Sequence, residues 1–335
     1  MEPAQFFAAS RVAIVAGKGG VGKTTVSAVL ARAAARTGIE TVIIEVEGKG
    51  GLASMFGQEP LAYEEMVLSP AAIGADGRPI AEVRARTLTP DDALLEYLRE
   101  SGLSRLSKRL VSSGALDMVA TAVPGIKDIL VLAKVKQLER SASAGEPGTP
   151  GLIVIDAPAA GHAITFLQSA RGLADAVKVG PINRQANEVL ELLTDASRCQ
   201  VLLVTLPEET PVNELVETAF SLEDKVGVSL GPVVVNGLYS PIAGLDRPPA
   251  DAAADADVAL RKGEAASLAA AAEFRRHRMG LQAEQLERLA EVLPLPQLRL
   301  PFVFDADLSR EDVDDLATIL LEQITALPDL AATRS

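Results

Sequence analysis

Along the chain, short apolar runs alternate with longer stretches in which apolar positions recur every three or four residues. The runs Val12 to Ala16, Glu40 to Glu47, Leu152 to Asp156, Cys199 to Leu206 and Gly231 to Leu238 are rich in Val, Ile and Leu with little alternation, so they read as strands covered on both faces. Val26, Val29, Leu30 and Ala33 share a helical face after the first run, as do Ala186, Val189, Leu190 and Leu193 within a helix predicted over residues 183–198. A short strand is expected at Ala81 to Thr87. After it, Thr89-Pro90 with Asp91 and Asp92 opens a helix, and Leu103 to Leu110 and Ile126 to Leu138 keep the helical period. Ser141 to Gly151 is a loop by composition, Asp251 to Ala272 and Ala271 to Val292 are helical, and Asp312 to Leu327 forms the last helix. The alternation predicts an α/β fold, a mostly parallel doubly wound sheet in one domain of 335 residues. Its core is expected at residues 10–60, 150–250 and 295–330, with helical insertions at about 60–140, 171–198 and 251–292.

Between the first strand and the first helix lies Gly17-Lys18-Gly19-Gly20-Val21-Gly22-Lys23-Thr24-Thr25, a G-x-x-x-x-G-K-[ST] pattern in strand, loop and helix context. Glycines let the backbone curl so that successive N–H groups point inward, and the helix N-terminus adds positive potential at the same spot. The loop is expected to cradle nucleotide phosphates, with Lys23 on the β and γ phosphates, Thr24 on Mg2+ and Thr25 at the α phosphate. The strand Leu152 to Ile155 ends in Asp156, a carboxylate suited to holding Mg2+ through water. The second strand ends in Glu45 and Glu47 on one face, each a candidate catalytic carboxylate or a solvated residue at a strand end.

Composition narrows the partners. A hydrophobic content of 48% with only 3% aromatic residues supports a large aliphatic core, and a formal charge of −13 disfavours general affinity for nucleic acid or anionic membrane. The lone Cys199 excludes an internal disulfide framework and suits a reducing compartment. Phe6-Phe7-Ala8-Ala9 is too short for a signal core, and no apolar run approaches the roughly 18 residues of a membrane span. The expectation is a cytoplasmic protein with no transmembrane segment and no nucleic-acid partner.

Lys18 makes the loop more specific than a generic one. Gly17-Lys18-Gly19-Gly20-Val21-Gly22-Lys23-Thr24 resembles the deviant phosphate loop of the P-loop NTPases that include arsenite-efflux ATPases, tail-anchored-protein targeting ATPases, and septum-positioning and partition ATPases. In that family the extra lysine crosses a dimer interface to the partner's nucleotide, so the resemblance implies ATP and Mg2+ held between two subunits, with Lys18, Lys23 and Glu47 as the catalytic set. Glu47 falls where the family has a water-orienting aspartate, and Gly48, Lys49 and Gly50 depart from its D-P-A-H segment, while Leu52 and Phe56 keep the family spacing. Asp156-Ala157-Pro158-Ala159-Ala160-Gly161-His162 is similar to the second switch, which implies that the Gly161 N–H reports the γ phosphate and that His162 fixes the switch by a hydrogen bond. Asn236 matches the V-N-x-L asparagine that meets adenine, and its amide offers both donor and acceptor. Pro301 and Phe302, after Leu300, fall at the family's L-P segment beside the base.

The resemblance implies an ATP-hydrolysing dimeric switch with a protein client, as a homodimer or as a heterodimer with a paralogous ATPase. The alternative is a catalytically weak regulatory subunit, because the extra methylene of Glu47 displaces its carboxylate. The amphipathic helices within 60–140 read either as a client groove or as faces packed on one another. The zinc cysteines of the eukaryotic targeting ATPases are absent, since Cys199 has no companion, and Arg275, Arg276 and Arg278 read either as an anion site or as a solvated helix face.

Overall fold

The computed structural model describes residues 1–46, 50–93, 96 and 125–328, with backbone alone at 126, 159–162 and 181. Glu47, Gly48, Lys49 and the predicted helix Leu103 to Leu110 lie outside the described residues, as does the side chain of His162. In chain order the first elements are α1 (Pro3–Ala8), β1 (Val12–Gly17), α2 (Lys23–Arg36), β2 (Thr41–Glu45), α3 (Gly51–Met55), β3 (Met66–Ser69), β4 (Ala72–Ile73), β5 (Pro79–Ile80) and β6 (Val83–Thr87). They are followed by α4 (Ile126–Ser143), β7 (Leu152–Ala159), α5 (Ala160–Ala176), α6 (Pro181–Thr194), β8 (Cys199–Thr205) and α7 (Glu209–Lys225). The last are β9 (Val233–Leu238), α8 (Pro249–Asp255), α9 (Glu264–Val292), β10 (Gln297–Pro301) and α10 (Arg310–Ala326).

Eight strands form one sheet in the order β10-β9-β8-β1-β7-β2-β6-β3. The pairs are parallel except at the edge, where β3 runs antiparallel to β6. Every residue of β1 is buried, as its unbroken apolar run requires. Alternate strand residues feed two cores. Val12, Ile14, Ile153, Ile155, Val201 and Leu203 meet the side carrying α4, α5, α6 and α7, while Val15, Ile43, Val154, Leu202 and Val204 meet the side carrying α1, α2 and α10. The predicted α/β, mostly parallel and doubly covered sheet is the observed one.

Three local readings change. The stretch 60–140, expected to be helical apart from one short strand, contributes two strands of the main sheet and a small β4–β5 hairpin before α4. β3 has four residues, too few to display a period, and becomes a strand through its pairing with β6. The expected loop from Ser141 starts later, because α4 continues to Ser143. The alanine-rich region is not one helix: α8 stops near Asp257, which has φ 52°, and α9 starts afresh after Gly263 in the left-handed region.

α2, which starts at the glycine loop, is held in place from outside by α10. Arg32 is buried and donates through Nε to Asp314 Oδ1 at 2.6 Å and through Nη1 to Ser69 Oγ at 2.9 Å. Arg36 donates to Thr318 Oγ1 and to the Asp314 carbonyl. At the far edge the Gln323 carboxamide takes both the N–H and the carbonyl of Arg299 in β10, standing in for a further strand.

Removing Asp314 would leave the Arg32 guanidinium buried without its charge partner. Asp314→Ala is expected to lower the unfolding free energy by about 3 kcal/mol, measured by urea denaturation. The exposed neighbouring change Asp315→Ala should stay within about 0.5 kcal/mol. Equal effects of the two would show that the Arg32–Asp314 pair does not anchor α2.

Candidate functional site

The glycine loop leaves β1 between its two central neighbours, β7 and β8. A Cβ at Gly17 would stand 2.3 Å from the Val204 carbonyl oxygen, so only glycine permits this exit beside β8. Gly22 has φ +90° and forms the N-cap of α2, and a Cβ there would meet Asn236 Nδ2 at 2.2 Å. Gly19 and Gly20 are exposed at the loop's tip, and Gly20 has φ +84°.

Around this turn the predicted side chains converge. Lys23 is buried in the first turn of α2 and its Nζ donates to the Lys18 carbonyl oxygen at 3.1 Å. Thr24 Oγ1 donates to Asp156 Oδ2 at 2.7 Å, joining α2 to the buried carboxylate on β7. Thr25 follows, half-buried. On the other side Asn236 Nδ2 donates to the Val21 carbonyl oxygen at 3.0 Å, which ties the end of β9 to the loop. Pro301 pairs with Leu238, and the Phe302 N–H donates to the Leu238 carbonyl at 2.8 Å, so Asn236, Pro301 and Phe302 gather at the C-terminal ends of adjacent strands. Gly161 lies in the first turn of α5, directly after β7.

Lys18 has a partner within its own chain, since its Nζ meets Glu214 Oε1 of α7 at 2.6 Å with both side chains partly exposed. Glu45, by sequence either a candidate catalytic carboxylate or a solvated strand-end residue, is 1% exposed and lies in register beside Asp156 on the adjacent strand. The Thr87 hydroxyl donates to Glu45 Oε2 at 3.5 Å. Glu45 and Asp156 thus place two buried carboxyl groups side by side at this end of the sheet. The sequence signal was present in the spacing of Glu45 and Glu47, but burial separates the role of Glu45 from that of a surface acid.

The arginine group does not act as one cluster. Arg275 lies over the Tyr239 ring, Arg278 pairs with Glu208 at 3.1 Å, and Arg276 is exposed. Tyr239, which sequence pattern did not single out, and Phe304 sit against Phe302 with ring centroids 5.5 and 4.8 Å away. Cys199 is fully enclosed in β8 and burial pushes its thiol up to about 12, so it is chemically quiet.

Gly22→Ala is expected to cost about 1–2 kcal/mol from the left-handed backbone alone, with a further cost from collision with the Asn236 amide. In an Asn236→Ala background the collision is gone, so thermal denaturation should return a coupling of at least about 0.5 kcal/mol between the two sites. Strict additivity would show that the loop and β9 do not touch.

The sequence profile of the anion-transporting ATPase family matches residues 10–184, a stretch holding the loop, Asp156 and Gly161. The chain is 33% identical over 229 residues to ATPase BagA of Mycobacterium tuberculosis, covering 68% of this chain and 64% of that protein. It is 25% identical over 324 residues to a protein of Halobacterium salinarum named for an arsenical pump, covering 91% of this chain and 43% of that one. It is also 25% identical over 220 residues to ATPase get3 of Pyrenophora tritici-repentis, covering 64% of this chain and 58% of that one. The chain thus spans less than two thirds of the length of these relatives. With a matching profile over more than half its length, the chain belongs to the anion-transporting ATPase family of P-loop proteins.

Proposed function

We propose that the chain binds ATP with Mg2+ and hydrolyses it as a dimeric switch, coupling nucleotide state to helix movement and to the binding of a protein client. The observation that carries this reading is the Thr24 hydroxyl 2.7 Å from the Asp156 carboxylate, beside the buried Lys23 at the mouth of the glycine loop. That hydroxyl, carboxylate and ammonium fit a Mg–triphosphate. When bound, Mg2+ supplies charge neutralisation at the β and γ phosphates.

In this reading the backbone N–H groups of Gly17, Gly19, Gly20, Val21 and Gly22 surround the phosphates, Lys23 lies on the β and γ groups and Thr25 at the α group. Gly161 reports the γ phosphate through its N–H, at the start of α5, where a small shift would move the whole helix. Asn236, Pro301 and Phe302 take the base. Lys18 reaches the phosphates of a partner subunit, for which its ion pair with Glu214 has to open. Glu47 orients the attacking water. The partner is a second copy or a paralogous ATPase, and the buried single cysteine agrees with a cytoplasmic setting. Among the described residues no helix is long and apolar enough to cross a membrane.

The second reading, a weakly hydrolysing regulatory subunit, is favoured by one feature: a glutamate stands where the family's aspartate orients water, followed by Gly48-Lys49-Gly50. Turnover decides between the two. Lys23→Ala is expected to abolish Mg–ATP binding. Glu47→Gln should keep binding while slowing hydrolysis by about a hundredfold or more. Negligible wild-type turnover that rises only with a co-purified paralogue would favour the regulatory subunit. A molecular mass that stays monomeric by light scattering in Mg–ATP would remove the dimer.

A further inference from the structure

The C-terminal ends of β9 and β10 carry a group of aromatic rings that phosphate binding does not require. Tyr239, Phe302 and Phe304 lie with ring centroids 4.8 to 6.1 Å apart, and Tyr239 and Phe304 are nearly parallel at 12°. Phe302 is 44% and Phe304 72% exposed, so the group presents open ring surface next to Asn236. In a chain with 3% aromatic residues, such a concentration at the ligand end of the sheet calls for an occupant with a flat face.

What holds these rings is α9. Gln282, only 6% exposed, accepts from the Tyr239 N–H at 2.9 Å and donates to the Gly237 carbonyl at 3.2 Å, so one side chain pairs with the backbone as a neighbouring strand would. About two turns earlier on the helix, Arg275 donates to the Ser240 carbonyl at 3.0 Å. Its guanidinium lies 4.0 Å from the Tyr239 ring centroid and 5.5 Å from that of Phe304. The segment from Gly237 to Ser240 is thereby pinned on one side by α9 and on the other by β10, through Phe302 to Leu238. Its first neighbour, Asn236, is the residue that touches the phosphate loop.

We propose that α9 sets base selectivity: Arg275 and Gln282 are positioning residues that hold Tyr239, Phe302 and Phe304 as a stacking platform for a purine. The proposal rests on the nucleotide reading above and extends it to residues outside the loop and the strand-end asparagine. A two-ring base covers more of the platform than a pyrimidine, which makes the selectivity a matter of stacking area. The guanidinium is flat and already seated on Tyr239, so it fixes ring orientation while Phe302 and Phe304 stay largely open to solvent.

Inorganic tripolyphosphate separates this proposal from the nucleotide reading, because it has the phosphates without the base. Binding of Mg–ATP, Mg–CTP and Mg–tripolyphosphate is measured by calorimetry for the whole chain and for Arg275→Ala, Gln282→Ala and Tyr239→Leu. Each variant is expected to lose about tenfold in ATP affinity, with a reduced preference for ATP over CTP and unchanged tripolyphosphate binding. Tyr239→Leu removes a platform ring without a substitution in α9, so it decides whether the platform holds the base if either helix variant fails to fold. Unchanged ATP affinity in the variants, or a parallel loss of ATP and tripolyphosphate, overturns the proposal. Wild-type protein that binds tripolyphosphate as tightly as ATP overturns it while leaving the phosphate loop intact. Protein that binds neither removes the nucleotide reading and this proposal with it.

Discussion

A carboxylate at the end of a central strand has to be satisfied where water does not reach, and Asp156 meets that demand through the hydroxyl of Thr24. The hydrogen bond spans from β7 to the first turn of α2, so it sets where the helix begins and hence how the glycine loop closes. Other features lean on it. Lys23 is drawn inward beside the same end of the sheet, Glu45 lies in register on the adjacent strand, and Gly17 gives way so that β1 can leave past Val204. Asp156, Glu45 and Lys23 are all buried at this end of the sheet, and such a concentration of ionisable groups reads as a site rather than as a scaffold.

The two ends of this site are carried by different parts of the chain. The glycine-loop end is local, made within the nine residues from Gly17 to Thr25 and the helix they start. The opposite end is assembled from β9, β10 and α9, whose residues lie more than two hundred positions away in sequence, and joins the loop through Asn236 and Val21. α7 links the two, since Glu214 meets Lys18 while Glu208, at its N-cap, meets Arg278 of α9. A shift of Lys18 and a shift of α9 would therefore act on the same helix.

Strands with both faces covered were legible because their apolar runs are continuous, and β1, β2, β7, β8 and β9 fall where hydropathy puts them. The edge was not. β3, β4 and β5 are short and partly exposed, and their residues carry no period of their own. Chain breaks within alanine-rich sequence were equally hidden, because helix propensity favours both sides of Asp257 while the backbone turns there. In the site, Gly17, Lys23, Thr24 and Asp156 were readable from motif and strand position. Tyr239 and Gln282 were not, since their contacts depend on which helix lies against β9.

The sequence by itself determined the layered α/β architecture, the glycine loop after β1 and the acid near the end of β7, because each is encoded in contiguous residues with a recognisable spacing. Only the tertiary structure decided that Glu45 is buried beside Asp156, that Lys18 is held by Glu214, and that Arg275 and Gln282 grip the exit of β9. Those contacts join residues far apart along the chain, and their geometry exists only once the sheet order has brought the strand ends together.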